Sequence, residues 1–181
     1  RASVATLEQS LRAATRIEAA TVTIHRTATR SGIPAAEQQS LLVESLLELD
    51  GMASALGVRV GLEATEDFEI FERVQFDSVG ITIDVGHLSF HDGRAWKPWG
   101  SLGGLIRHLG PRIVHVHLHA YDGRRDHLPL GKGRLDFGET VGALRAVGYK
   151  GTLCLELAPT ATIEADYRAS RDLLRTLTGM P

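Results

Sequence analysis

The chain has 181 residues, 43% of them hydrophobic and 23% charged, with a net charge of −2. That length supports one substantial core burying roughly 70% of the unfolded surface, and the composition excludes low-complexity disorder, collagen and coiled coil as descriptions of the whole. No apolar run reaches the roughly 20 residues of a membrane span, the balanced charge gathers neither nucleic acid nor anionic membrane, and 6% aromatic residues are few for base stacking.

The chain opens on Arg1 without the basic, apolar and small-residue pattern of a signal peptide. Residues 4–19 predict an amphipathic helix, with Leu7, Leu11, Ala14 and Ile17 at helical spacing. The alternating β-branched run 20–25 predicts a strand ending in His25. Pro34 suits a first helical turn, and residues 35–56 predict a long helix with Leu41, Leu42, Leu46, Leu49 and Met52 as its stripe, stopped by Gly57. A second strand over 58–63 ends in Glu63, and Thr65 is expected to cap a short helix reaching about Val74. A third strand, 80–84, ends in Asp84 and is followed by a loop rich in Gly, His, Trp and Pro, then a helix near 102–109. A fourth strand spans 112–118, and a long polar loop, 119–133, leads to a helix over 137–147 that Gly148 stops. The fifth strand, 152–157, carries Glu156, and a final helix runs over 163–177.

Strict strand–helix alternation predicts an α/β fold with parallel strands. Five units at roughly 32 residues each fall short of the about 250 residues of a TIM (β/α)8 barrel. The expectation is therefore a single domain over 1–181 that forms the C-terminal portion of such a barrel, with about three units before Arg1. Its open edges at 20–25 and 152–157 would need cover from those units or from a second copy of the chain, a homo-oligomer. The single Cys154 forms no internal disulfide, which suits a reducing cytoplasm.

All five strands end in polar residues, His25, Glu63, Asp84, His117 and Glu156, and in parallel α/β folds the C-terminal strand ends are where ligands bind. Side chains alternate along a strand, so His115, His117 and His119 share one face opposite Val114, Val116 and Leu118. By the same parity Cys154 and Glu156 point inward, as do Thr82 and Asp84. Carboxylates with an imidazole suit one divalent metal ion, Mn²⁺, Mg²⁺, Co²⁺ or Zn²⁺; a buried ion-pair network is the other reading of the set. Arg59 points inward at the far end, where a structural ion pair is expected. Cys154 reads as a buried hydrophobe, and the turn at Gly131, Lys132 and Gly133 as a tight turn ahead of a phosphate loop. Trp96 and Trp99 either wall the pocket or pack on adjacent helices.

The segment from Gly80 to His87, GITIDVGH, resembles the "DxGH" strand end of xylose isomerase-like TIM barrels. Residues 113–123, IVHVHLHAYDG, resemble that superfamily's "hvHlhDxdG" signature, residues 127–137 its "HlplGxGxidf" loop, and residues 148–156 its "gydGxlxlE" strand. The resemblance covers the whole chain in the same order and implies that Glu63, Asp84, His117 and Glu156 hold the metal. It also matches His87 to a substrate-contacting or second-metal His, and His25 and His127 to extra histidines of the multinuclear zinc nucleases; with His119 and with Trp96, which lies in the loop after Asp84, these residues are expected to face a small sugar or polyol. Two departures stand out: Ala120 replaces the Asp of the strand motif, and Asp126 is one place out of register with the "DxH" of the related zinc nucleases, on the opposite face if the segment is extended.

The chemistry so implied is isomerisation or epimerisation through an enediolate, with the metal as Lewis acid and Glu63 and Glu156 removing and returning a proton. A non-catalytic binding or regulatory module on the same fold, and a zinc AP endonuclease, are the alternatives; the latter wants a basic groove that the charge balance does not supply.

Overall fold

Apolar periodicity, glycine stops and side-chain caps set the elements seen in a computed structural model, which describes residues 2–26 and 32–179, with the side chains of residues 2, 3, 91 and 92 excepted. The chain divides into two compact units, residues 1–82 and 83–181.

In the first unit α1 (Ala2–Arg16) packs on α2 (Ala35–Leu56), with Leu11, Leu46 and Leu49 fully buried. Gly57 ends α2 at φ 66°, a left-handed conformation in which its N–H reaches the carbonyls of Ala53 and Ser54. Three strands follow in parallel order, β1 (Thr21–His25), β2 (Arg59–Glu63) and the first part of β3 (Val79–Asp84). Register places Glu63 beside His25 on one side and beside Thr82 on the other. Parallel strands hold back-to-back apolar residues, and Val60, Leu62, Val79 and Ile81 are buried accordingly. The entry into β3 is fixed from α2, where Asp50 Oδ1 accepts from the N–H groups of Ser78 (2.7 Å) and Val79 (2.8 Å) and Oδ2 from that of Asp77 (3.1 Å).

Two expectations fail in this unit. Thr65 caps no helix, and the segment is helical only over α3 (Ile70–Arg73), entered from Glu69. Asp67 is the cause: it sits at φ 61°, with its carboxylate held by Arg26 and by Gln39, so the chain turns where a first helical turn was expected. Arg59 is exposed, and among the described residues it makes no ion pair; its N–H instead donates to Ala20 O at 3.0 Å.

The second unit begins with Ile83 and Asp84, the last residues of β3. A short helical stretch includes α4 (Phe90–Gly93), then come α5 (Leu102–Leu109), β4 (Ile113–Leu118), α6 (Phe137–Ala146), β5 (Leu153–Leu155) and α7 (Ile163–Thr178). The Val85 N–H donates to His117 O (3.1 Å), tying the end of β3 to β4, and β4 pairs with β5 in parallel. Ser101 caps α5 by accepting from the Gly104 N–H and donates to Glu139 Oε1; Asp136 caps α6 by accepting from the Glu139 N–H. Val114, Val116 and Leu118 are buried, as the parity requires. The fifth strand is shorter than its sequence pattern, yet the Glu156 N–H still donates to Leu118 O (3.1 Å), so Glu156 keeps the strand direction. Among the described residues no helix is long and apolar enough to cross a membrane.

Candidate metal centre

The chemistry-bearing side chains of the second unit gather where β3, β4 and β5 end. Asp84 is the last residue of β3, and its side chain is 1% exposed. Its Oδ1 accepts from the His87 N–H (2.8 Å) and lies 2.9 Å from His119 Nε2. Its Oδ2 faces His87 Nδ1 at 3.3 Å and His117 Nδ1 at 3.9 Å, and it is buried with no hydrogen bond among the described residues. His117, one strand over, turns Nδ1 toward Glu156 Oε2 at 3.1 Å. One ligand atom each from Asp84, His117 and Glu156 lie within 4.8 Å of one another. A buried, unbonded carboxylate oxygen is costly alone, and two carboxylates with an imidazole form the donor set of a hard-to-borderline divalent cation. The residues therefore fit the metal that the resemblance implies.

A second group of side chains adjoins it. His87, His119 and His127 also bring ligand atoms within 4.8 Å. The rings of His119 and His127 stack with centroids 4.1 Å apart and planes 6° from parallel, while His87 meets both edge-on. His119 is wholly buried, which does not suit the substrate contact expected of it. Asp126 corrects the sequence reading: it does not lie away from the histidines. His127 takes φ 51°, so the segment is not extended, and Asp126 comes to 3.4 Å from His127 Nδ1 and 4.0 Å from His87 Nε2. Burial pushes the Asp126 carboxyl up, but the hydrogen bonds from His127 and from its own backbone N–H outweigh it, and the net shift is down.

The long loop that carries these residues is pinned. Ala120 and Leu128 exchange backbone hydrogen bonds as an antiparallel bridge, the Ala158 N–H donates to His127 O (2.8 Å), and the Leu130 N–H donates to the buried Ser170 Oγ (3.0 Å). At its tip Asp122 Oδ1 accepts from the N–H groups of Arg124 and Arg125, and those two bonds hold its carboxyl below the usual range. Gly131 has φ 83°, and the Lys132 N–H closes a turn on Pro129 O, the tight turn expected there.

In the first unit His25 Nε2 lies 3.2 Å from the buried Glu63 Oε2, with His25 itself exposed. Trp96 lies over Gly93, where a Cβ would come within 2.0 Å of its ring, and its indole N–H is buried without a partner among the described residues. Trp99 lies against His108, ring centroids 5.0 Å apart and planes tilted by 32°. Cys154 is half-buried; burial, with the Glu156 charge, pushes its thiol up. His115 is pushed down by burial and then by His117. Sequence reasoning overlooked Gly86: a Cβ there would sit 1.9 Å from His119 Cε1. The signal was the glycine itself, two residues past Asp84.

The family described as Xylose isomerase-like TIM barrel matches residues 1–177. An uncharacterized protein of Methanocaldococcus jannaschii is 30% identical over 125 residues, 62% of this chain and 41% of that protein. The D-psicose 3-epimerase of Ruminiclostridium cellulolyticum is 26% identical over 145 residues, 72% of this chain and 46% of the enzyme. The chain thus spans less than half the length of these curated relatives. Among solved structures, a D-tagatose 3-epimerase-like protein superposes with a TM-score of 0.78 at 22% identity, covering 98% of this chain and 68% of that one. The IOLI protein, solved with a zinc atom, superposes with a TM-score of 0.76 at 20% identity, covering 97% and 68%.

Proposed function

Since the chain belongs to the xylose isomerase-like TIM barrel family, we propose that it serves a divalent-metal-dependent epimerase or isomerase of small sugars or polyols. The observation that carries the reading is Asp84 Oδ2, buried and unbonded and turned toward His117 beside Glu156. D-psicose 3-epimerases among the relatives supply the substrate class. Asp84, His117 and Glu156 are assigned to the cation, and Glu63 joins them on the sequence resemblance. The absence of thiolates from the set suits Mn²⁺, Mg²⁺, Co²⁺ or Zn²⁺, and the zinc in the IOLI protein supports a metal in this fold.

When bound, the cation supplies Lewis acidity to neighbouring carbonyl and hydroxyl oxygens of the sugar. Glu156 is half-exposed, so its second oxygen, 4.0 Å from His127 Nε2, can remove the proton on the carbon beside the carbonyl. Glu63, carrying a proton of its own, delivers it to the neighbouring carbon or the opposite face, and the two carboxyls exchange protons with solvent between turnovers. His87, 24% exposed, orients a substrate hydroxyl.

The test uses the chain within its full reading frame. Mn²⁺ or Co²⁺ titration should give one equivalent bound, and D-psicose and D-fructose, which differ only at the carbon beside the carbonyl, should interconvert in ²H₂O with deuterium entering at that carbon. Chelator should stop the exchange. Turnover that survives chelation, or no turnover of any ketose by the metal-loaded protein, would sink the reading.

A further inference from the structure

We infer that His119 is a positioning residue: a neutral imidazole with its proton on Nε2 that fixes the Asp84 carboxylate, seated there because residue 86 has no side chain. The inference rests on the metal reading for its consequence, though its geometry stands without it.

The tautomer follows from a donor that can only donate. The His127 backbone N–H points at His119 Nδ1 from 2.8 Å. The Ala120 carbonyl is also near Nδ1, at the longer 3.3 Å. Two N–H groups cannot share the 2.8 Å contact, so Nδ1 is the acceptor and the ring proton sits on Nε2. Nε2 is buried and lies 2.9 Å from Asp84 Oδ1. The contact is bent away from hydrogen-bond geometry, so it acts as a dipole against a charge at short range and low dielectric. With the His87 N–H on the same oxygen, Oδ1 is engaged from two sides. Oδ2 is left to face His87 and His117. Groups that orient a metal ligand in this way are worth about tenfold to a hundredfold in metal affinity.

The same tautomer bears on the neighbouring histidine group. An Nε2 that carries the proton has no lone pair for a cation, and Nδ1 is spent on the His127 N–H. His119 is therefore not a ligand, although its ring lies within reach of His87 and His127.

Gly86 makes the arrangement possible. Its backbone is ordinary, φ −70° and ψ −48°, so alanine would not strain it. A methyl group there would nonetheless stand 1.9 Å from His119 Cε1, 2.3 Å from Nδ1 and 2.5 Å from Nε2. The glycine is required by the imidazole and by nothing in its own torsion angles.

Three measurements on the full-length protein decide the matter. Long-range ¹H–¹⁵N correlation should show His119 protonated at Nε2 only; a proton on Nδ1 overturns the inference whether or not metal binds. Mn²⁺ titration of folded variants, checked by circular dichroism, should show His119→Phe weakened about tenfold to a hundredfold at unchanged stoichiometry. His119→Gln, which keeps a donor near the Nε2 position, should recover most of that loss. Gly86→Ala should mimic His119→Phe alone and add little to it in the double variant, the mark of coupled residues. Equal affinity in His119→Phe and wild type, or loss of a whole equivalent of metal, overturns it. A wild-type protein that binds no metal would count against the proposed function, leaving the tautomer to judge His119.

Discussion

Asp84 gives its two oxygens different tasks, one held by His119 and the His87 amide and the other turned toward His87 and His117. Removing the charge while keeping the shape should expose that division. Asp84→Asn is expected to lower Mn²⁺ affinity at least as far as the loss of an outer-shell group, about a hundredfold, by calorimetric titration. Glu156 tests the chemistry separately. Glu156→Gln retains a neutral oxygen ligand but no base, so turnover should fall at least about a hundredfold and deuterium should no longer enter the substrate. Metal should bind it more tightly than it binds Asp84→Asn. Asp122 offers a test away from the cluster. Its carboxyl is held low by the Arg125 and Arg124 amides, so the order it confers is complete above the ordinary carboxylate pKa and is lost as pH falls through the lowered value. The amides of Arg124 and Arg125 should shift by NMR only under that acidic condition, and Asp122→Asn should abolish the shift.

Elements whose cause is local were legible, and those whose cause is distant were not. The α2 stop at Gly57, the helices placed near 102–109 and over 137–147, and the buried Val114–Val116–Leu118 face all follow from neighbours within a few residues. The helix expected from Thr65 failed because Asp67 answers to Arg26 and Gln39, which lie 41 and 28 residues away in sequence. Asp126 was misplaced because a left-handed, non-glycine His127 leaves no mark in composition. Parity grouped His119 with His115 and His117, but β4 stops at Leu118, and the next residue is governed by the Ala120–Leu128 bridge. The start of β3 is a further distant dependence. Asp50→Ala strips a charged acceptor from the amides of Asp77, Ser78 and Val79, and a cost of about 2–3 kcal/mol is expected, read by denaturant unfolding. Asp50→Asn, which keeps an acceptor, should lose less.

For the molecule as a whole, metal and folding should be linked. A cation that binds only the folded chain stabilises it by mass action, about 2.7 kcal/mol at a hundred times its Kd. Mn²⁺ should therefore raise the melting temperature of the wild type and leave Asp84→Asn nearly unmoved; equal rises in both would place the cation elsewhere. The loop from His119 onward sets another whole-molecule property, its behaviour in time. By its lack of regular structure it resembles a segment that breathes quickly, yet Leu128, Leu130 and Ala158 each give their amide proton to a partner across the loop or on α7. Those protons should exchange with solvent at the pace of the strands and not at that of a surface connection. Trypsin would then find Arg124 and Arg125 at the tip open to its cleft, while the backbone held at Leu128 and Leu130 stays closed to it.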